Sequence, residues 1–155
     1  MRIAVNHLTR MRGGYICGAG IDMESLGHIR PIPSGGRLTT ESLCRHGGNF
    51  DMAVLLDLDT PLSLSRRPQV EDRIVDISEI QQVGTLRPRK FWNLLTQIAK
   101  PKLKEIFGHD LMKIGSKSCG VEIGKGEASL GCLIPESRPI LYIRGRSGRP
   151  DQVRM

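Results

Sequence analysis

Three short apolar runs, broken by glycines and polar residues, occupy the first thirty-three positions, and this pattern favours a sheet. In the first run Ile3, Val5 and Leu8 mark one buried row, and Gly13-Gly14 makes a turn. Tyr15, Cys17, Ala19 and Ile21 then alternate with smaller residues, and Ile29 and Ile32 flank a third run from His28 to Pro33. Alternation of this kind is the signature of half-buried strands. Gly18 and Gly20 inside the second run predict a bulge or sharp coiling, as small bent barrels require at their corners. Pro31 and Pro33 end the third run, since neither offers an amide donor to a ladder. The expectation is a β-meander with basic tips at Arg10, Arg12 and Arg30.

Beyond the meander, Thr40–His46 reads as a short helix closed by Gly47-Gly48, and Met52–Leu58 as a strand. Pro61–Pro68 is a break, followed by a strand over Val70–Val75 that leads into Ile77–Ile80. The clearest helix starts at Pro88, a residue suited to a first turn. Phe91, Leu94, Leu95 and Ile98 fall at i, i+3, i+4 and i+7, which is one apolar stripe. Trp92 points away from the centre of that stripe, so it is either partly exposed or packed at a joint between β units, and packing at the joint is the plainer expectation. Pro101 interrupts the helix, and a further turn or two over 102–107 ends at Gly108. Strands are expected again at Leu111–Ile114, Cys119–Ile123, Leu130–Ile134 and Pro139–Arg144. The fold class is therefore mainly β: a barrel-like unit over 1–86, a helical connection over 87–108, and a second, shorter β unit over 109–155.

His7-Leu-Thr-Arg-Met11, the run from Gly14 through Ile16-Cys17 to Ala19-Gly-Ile-Asp22, and His28-Ile-Arg-Pro31 together carry a family resemblance. So do Pro68-Gln-Val-Glu-Asp72 and Ala128-Ser-Leu-Gly131, in the same order along the chain. The pattern resembles a prokaryotic dual OB-fold domain family. The resemblance implies two small OB-type barrels and a nucleic-acid-sensing role. The chain departs from that pattern after Gln152-Val153-Arg154, where one or two further strands are expected, so the second barrel reads as incomplete.

Charge narrows the partners. Lys and Arg number 23 against 16 Asp and Glu, and residues 1–60 are balanced at six of each, so the excess lies beyond them. A basic balance favours polyanions. Arg87, Arg89, Lys90, Lys100, Lys102 and Lys104 occur in a stretch without an acidic residue. Arg138, Arg144, Arg146, Arg149 and Arg154 face Asp151 alone, and the alternation of arginine with glycine at 144–149 suits close approach to phosphate. The nucleic-acid-binding set is thus His7, Thr9, Arg10, Arg12, Arg30, Arg87, Arg89, Lys90, Arg144, Arg146 and Arg149. The plainer reading of each cluster is a solvated basic face, of His7 a structural histidine, and of Arg30 a partner for Asp22 or Glu24. Aromatic residues, the usual stacking platforms for single strands, make up only 4% of the chain. That scarcity counts against a general single-strand binder and favours backbone or duplex contacts, or no nucleic acid at all.

Enzyme signatures are missing from the sequence. No P-loop, G-x-S-x-G, H-E-x-x-H or dinucleotide fingerprint occurs, and Gly124–Ser129 lacks phosphate-loop spacing and reads as a hairpin turn. Glu71-Asp72, Asp57, Asp59 and Glu41 read as turn or salt-bridge groups, so no catalytic residue, metal or cofactor is assigned. Cys17, Cys44, Cys119 and Cys132 are widely spaced and read as reduced, mostly buried small side chains. No apolar run is long enough to cross a bilayer and no signal segment is visible, so a cytoplasmic protein is expected. The leading expectation is a non-enzymatic module that binds DNA or RNA through its phosphates, with a homodimer pairing the open edges. A protein-interaction module using a sheet edge is second, and a metal-dependent nuclease third.

Overall fold

The computed structural model describes residues 1–64, 66–116, 118–137, 142–146 and 149–154, the last two stretches by their backbone. Strands β1 (Arg2–Arg10), β2 (Ile16–Asp22) and β3 (His28–Pro33) form the meander that the opening runs predict. β4 (Val54–Asp57) returns antiparallel to the outer side of β1. β5 (Leu62–Ser63) pairs with β6 (Asp72–Val75), which lies parallel to β3, and β7 (Gln81–Thr85) pairs with β4. The resulting seven-stranded sheet runs β5-β6-β3-β2-β1-β4-β7 and is not closed into a barrel.

It must nevertheless curl. β6 and β7 are consecutive in the chain but five strand spacings apart in the sheet, roughly 24 Å if the sheet were flat. The connection Asp76–Ile80 contains a 3-10 turn at Ile77–Glu79, and the six steps from Val75 to Gln81 reach only about 20 Å when extended. The curl wraps one face around a core of Ile3, Val5, Ile16, Phe50, Leu56 and their neighbours. Ala4 and Ile21 point to the other face, where they meet Leu94 of helix α1 (Pro88–Ile98). β1 and β2 are therefore buried on both sides, and the simple alternation expected for them is lost.

The bulge lies on β1. Val5 pairs with Gly20 and His7 with Ala19, leaving Asn6 as the extra residue. Gly20 sits across from it, and the reason for glycine there is space: a Cβ at this position would lie 2.8 Å from the Ala4 carbonyl oxygen.

Several other local expectations are corrected. The helix over Thr40–His46 is two 3-10 turns separated by an extended Leu43 (φ −78°, ψ 143°), which pairs with Phe50. β7 was not expected, because Gln81-Gln-Val-Gly-Thr85 has no apolar row and lies almost wholly exposed at an edge. Helix α2 (Leu103–Phe107) ends at Gly108 as predicted. Beyond it the described residues form only two ladders, β8 (Met112–Lys113) with β9 (Cys119–Gly120), and β10 (Tyr142–Arg146) with β11 (Arg149–Arg154). Leu130–Ile134 is not a strand. It makes a single bridge, Leu133 to Lys100: the Leu130 N–H goes to the buried Glu71 carboxylate, and the Ile134 N–H and Cys132 carbonyl pair only with Lys100. Cys17, Cys44 and Cys132 are half-buried and Cys119 is exposed, so the cysteines are less enclosed than expected. No described helix is long and apolar enough to cross a membrane.

Candidate functional site

Helix α1 sorts its residues cleanly. Leu94 is buried and Phe91, Leu95 and Ile98 flank it, each apolar side chain worth about 1.5–3 kcal/mol when fully buried. The opposite face carries Arg89, Trp92, Asn93 and Thr96 at i, i+3, i+4 and i+7, all exposed. Trp92 is 69% exposed, so the sequence-based expectation that it packs at a joint is corrected. Arg87, Arg89 and Lys90 crowd the helix N-terminus and have no ion-pair partner among the described residues. Positive charge is disfavoured there by the helix dipole, so helix stability does not account for them. Lys100, Lys102 and Lys104 belong to the far end, roughly 16 Å away along eleven residues. What the sequence shows as one basic stretch is two groups in space.

The other predicted residues are distributed differently. His7, Thr9, Arg10 and Arg12 run to the exposed end of β1 and the turn after it, where the Thr9 hydroxyl lies 2.9 Å from His7 Nε2. Arg10 and Thr9 edge a hollow of about 200 Å³. Arg30 turns inward, and its Nε donates to Asp72 Oδ1 at 2.5 Å, a partner other than the Asp22 or Glu24 considered from sequence. Burial works against the Arg30 charge, but Asp72 outweighs it and holds the guanidinium above its ordinary range. Asp22 instead accepts from the Ser25 hydroxyl at 2.5 Å and closes the turn before β3. The side chains of Arg144, Arg146 and Arg149 lie outside the described residues, as does Arg138.

Sequence reasoning did not single out a cleft of about 370 Å³ between β3, the start of β6, the α1–α2 junction and the segment 127–132. Glu71 organises it. Its Oε1 accepts the N–H groups of Ser129 at 2.6 Å and Leu130 at 3.0 Å, and its Oε2 accepts the Ser129 hydroxyl at 2.8 Å. Lys100 N–H donates to the Cys132 carbonyl at 2.9 Å, which ties the same segment to the end of α1. Cys132 Sγ sits 3.8 Å from His28 Nε2 and receives the Asn6 amide at 3.4 Å. The β1 bulge thus aims Asn6 towards this segment, and Asn6 Oδ1 is buried without a partner among the described residues. Burial pushes the Cys132 thiol up, so it stays protonated at neutral pH. The two segments that meet here, Pro68–Asp72 and Ala128–Gly131, each carry part of the family resemblance, but nothing local in the sequence says that they touch. No group of three or more described His, Cys, Asp or Glu side chains is arranged to hold a metal ion.

Burial also pushes the His28 imidazole down; Glu71 opposes that shift and His7 adds to it. The folded state therefore favours neutral His28, while the unfolded chain takes up its proton near the ordinary pKa of about 6.5. The stabilisation is present in full above that value and is lost as pH falls through the folded pKa. Thermal melts across this window should show a falling midpoint, with a shallower fall in His28→Gln; equal slopes would exclude His28 as the cause.

The chain matches no protein-family model, no curated protein and no solved structure.

Proposed function

We propose that this chain binds nucleic acid, without catalysing a reaction, through the solvent face of α1, and that its first 86 residues are an OB-like unit. The observation that carries the reading is Trp92, 69% exposed on a helix face with Arg89 one turn away and two more cations at the helix start. Tryptophan joins a broad apolar ring to a polar N–H, which suits it to contact surfaces where one part is covered and the other stays wet. Bases stack on such a ring whatever their identity, at about 1–3 kcal/mol each, while arginine and lysine hold phosphates beside it. The scarcity of aromatics in the sequence matters less once the single tryptophan is at the surface. The OB-like reading draws support from connectivity: a three-stranded meander, a fourth strand back on the first, and a later strand parallel to the third. A second OB-like unit over 109–155 belongs to the same proposal.

Trp92 supplies its own readout. Titration with short DNA and RNA oligonucleotides at low salt should quench its fluorescence saturably, and Trp92→Ala should weaken binding by about 1–3 kcal/mol when read by anisotropy. Absence of binding to every oligonucleotide would overturn the proposal. It would favour a protein-interaction module instead, for which β7 offers an open edge to another protein or to a second copy in a homodimer.

A further inference from the structure

We infer that the cleft beside Glu71 is a base-accepting pocket for guanine, supplied by a free nucleotide or by the end of a bound strand. This rests on the nucleic-acid reading and adds base recognition to a surface that otherwise reads only phosphate and ring faces. Lys100 links the two, since it follows the exposed face of α1 and also lines the cleft.

Size and walls come first. A cleft of about 370 Å³ lies within the range typical of small-ligand sites. Ile29, Ile98 and Ile106 give it aliphatic walls, which suit the two faces of a flat ring. Its polar groups are mixed in sign, with Glu105 opposing Lys100 and Arg73. Such a rim does not suit a bare phosphate, because carboxylates repel it, nor a simple cation. It suits a neutral ring whose edge carries donors and acceptors together.

Glu71 is already committed to three hydrogen bonds, whereas Glu105 has no ion-pair partner among the described residues. Arg73 Nη1 donates to the carbonyls of Val70 at 2.8 Å and Asp72 at 2.9 Å, which fixes the guanidinium without neutralising it. His28 Nε2 faces Cys132 Sγ, which leaves Nδ1 as the ring nitrogen without a hydrogen-bond partner among the described residues. Guanine is the base that uses this set most fully. Its N1–H and N2–H donate side by side to one carboxylate, and its O6 and N7 accept from cationic donors. Adenine offers no N1–H, and uracil offers a single donor on that edge.

Calorimetric titration of the full chain with GMP, AMP, CMP and UMP tests this directly. GMP should bind roughly tenfold or more tighter than the others, in line with the discrimination one bidentate pair gives. Glu105→Gln should abolish that preference, because the amide cannot take both donors; the residue is exposed, so the fold should tolerate the change. Oligothymidylate with and without a terminal guanine, run on the same preparation, separates the two sources. A gain from the terminal guanine supports strand-end capture, and GMP preference without that gain supports a free nucleotide. Oligonucleotide binding with no preference for GMP or for a terminal guanine overturns the pocket and leaves the α1 surface standing. GMP binding with no oligonucleotide binding keeps the pocket and removes the α1 reading.

Discussion

Gly20→Val is expected to cost about 3 kcal/mol or more, lowering the melting midpoint by roughly 6–12 °C in a chain of this size or preventing folding. The cause is close approach. A Cβ at position 20 would sit 2.8 Å from the Ala4 carbonyl oxygen and 2.8 Å from Ile3 Cδ1. One of these neighbours is backbone in a strand paired on both sides, so it cannot move without breaking ladders. Gly18→Ala is the control: its Cβ would meet the Phe50 ring at 3.2 Å, a side chain that can shift by a few tenths of an ångström. Its midpoint should fall much less. If valine at 20 left the midpoint unchanged, the tight packing of β1 on β2 would be wrong.

Replacing Arg87, Arg89 and Lys90 together with Ala should produce the largest loss of binding. Each phosphate neutralised contributes about 0.7 to 0.9 to the slope of log affinity against log salt, so the magnitude of the slope should fall by roughly 2–3. The loss should be nearly equal across sequences, since phosphate contacts carry no base information. Stability should hold or rise by a few tenths of a kcal/mol, because cations at a helix N-terminus oppose its dipole. That separates this experiment from a folding defect. Binding measured at two or more salt concentrations decides it: an unchanged slope would move the phosphate contacts elsewhere, with the exposed Arg10 and Arg12 next in line.

The opening meander and α1 could be read from the chain because their signals are local. Apolar spacing of two, the Gly13-Gly14 turn, Pro88 at the first helical position and the 91, 94, 95, 98 stripe each concern residues within a turn or a strand of one another. The salt-bridge or turn role expected of Glu71-Asp72 was legible in kind for Asp72, which pairs with Arg30, whereas Glu71 takes backbone and hydroxyl donors instead. Their partners were not: Ser129 lies 58 residues from Glu71, and Arg30 lies 42 residues from Asp72. β7 went unread for a related reason. An exposed edge strand needs no apolar row, and only β4 beside it makes Gln81–Thr85 extended. The bulge at Asn6 escaped because a bulge is a mismatch between two strands and has no existence in either one alone. Periodicity places Trp92 off the buried stripe, but whether another segment covers an off-stripe ring is settled by what the rest of the chain packs against it. Local pattern determined which segments could be strand or helix here. Contacts between residues tens of positions apart decided how the sheet curls, where the cleft forms and which charges are left without partners, because those energies depend on separations that the fold alone sets.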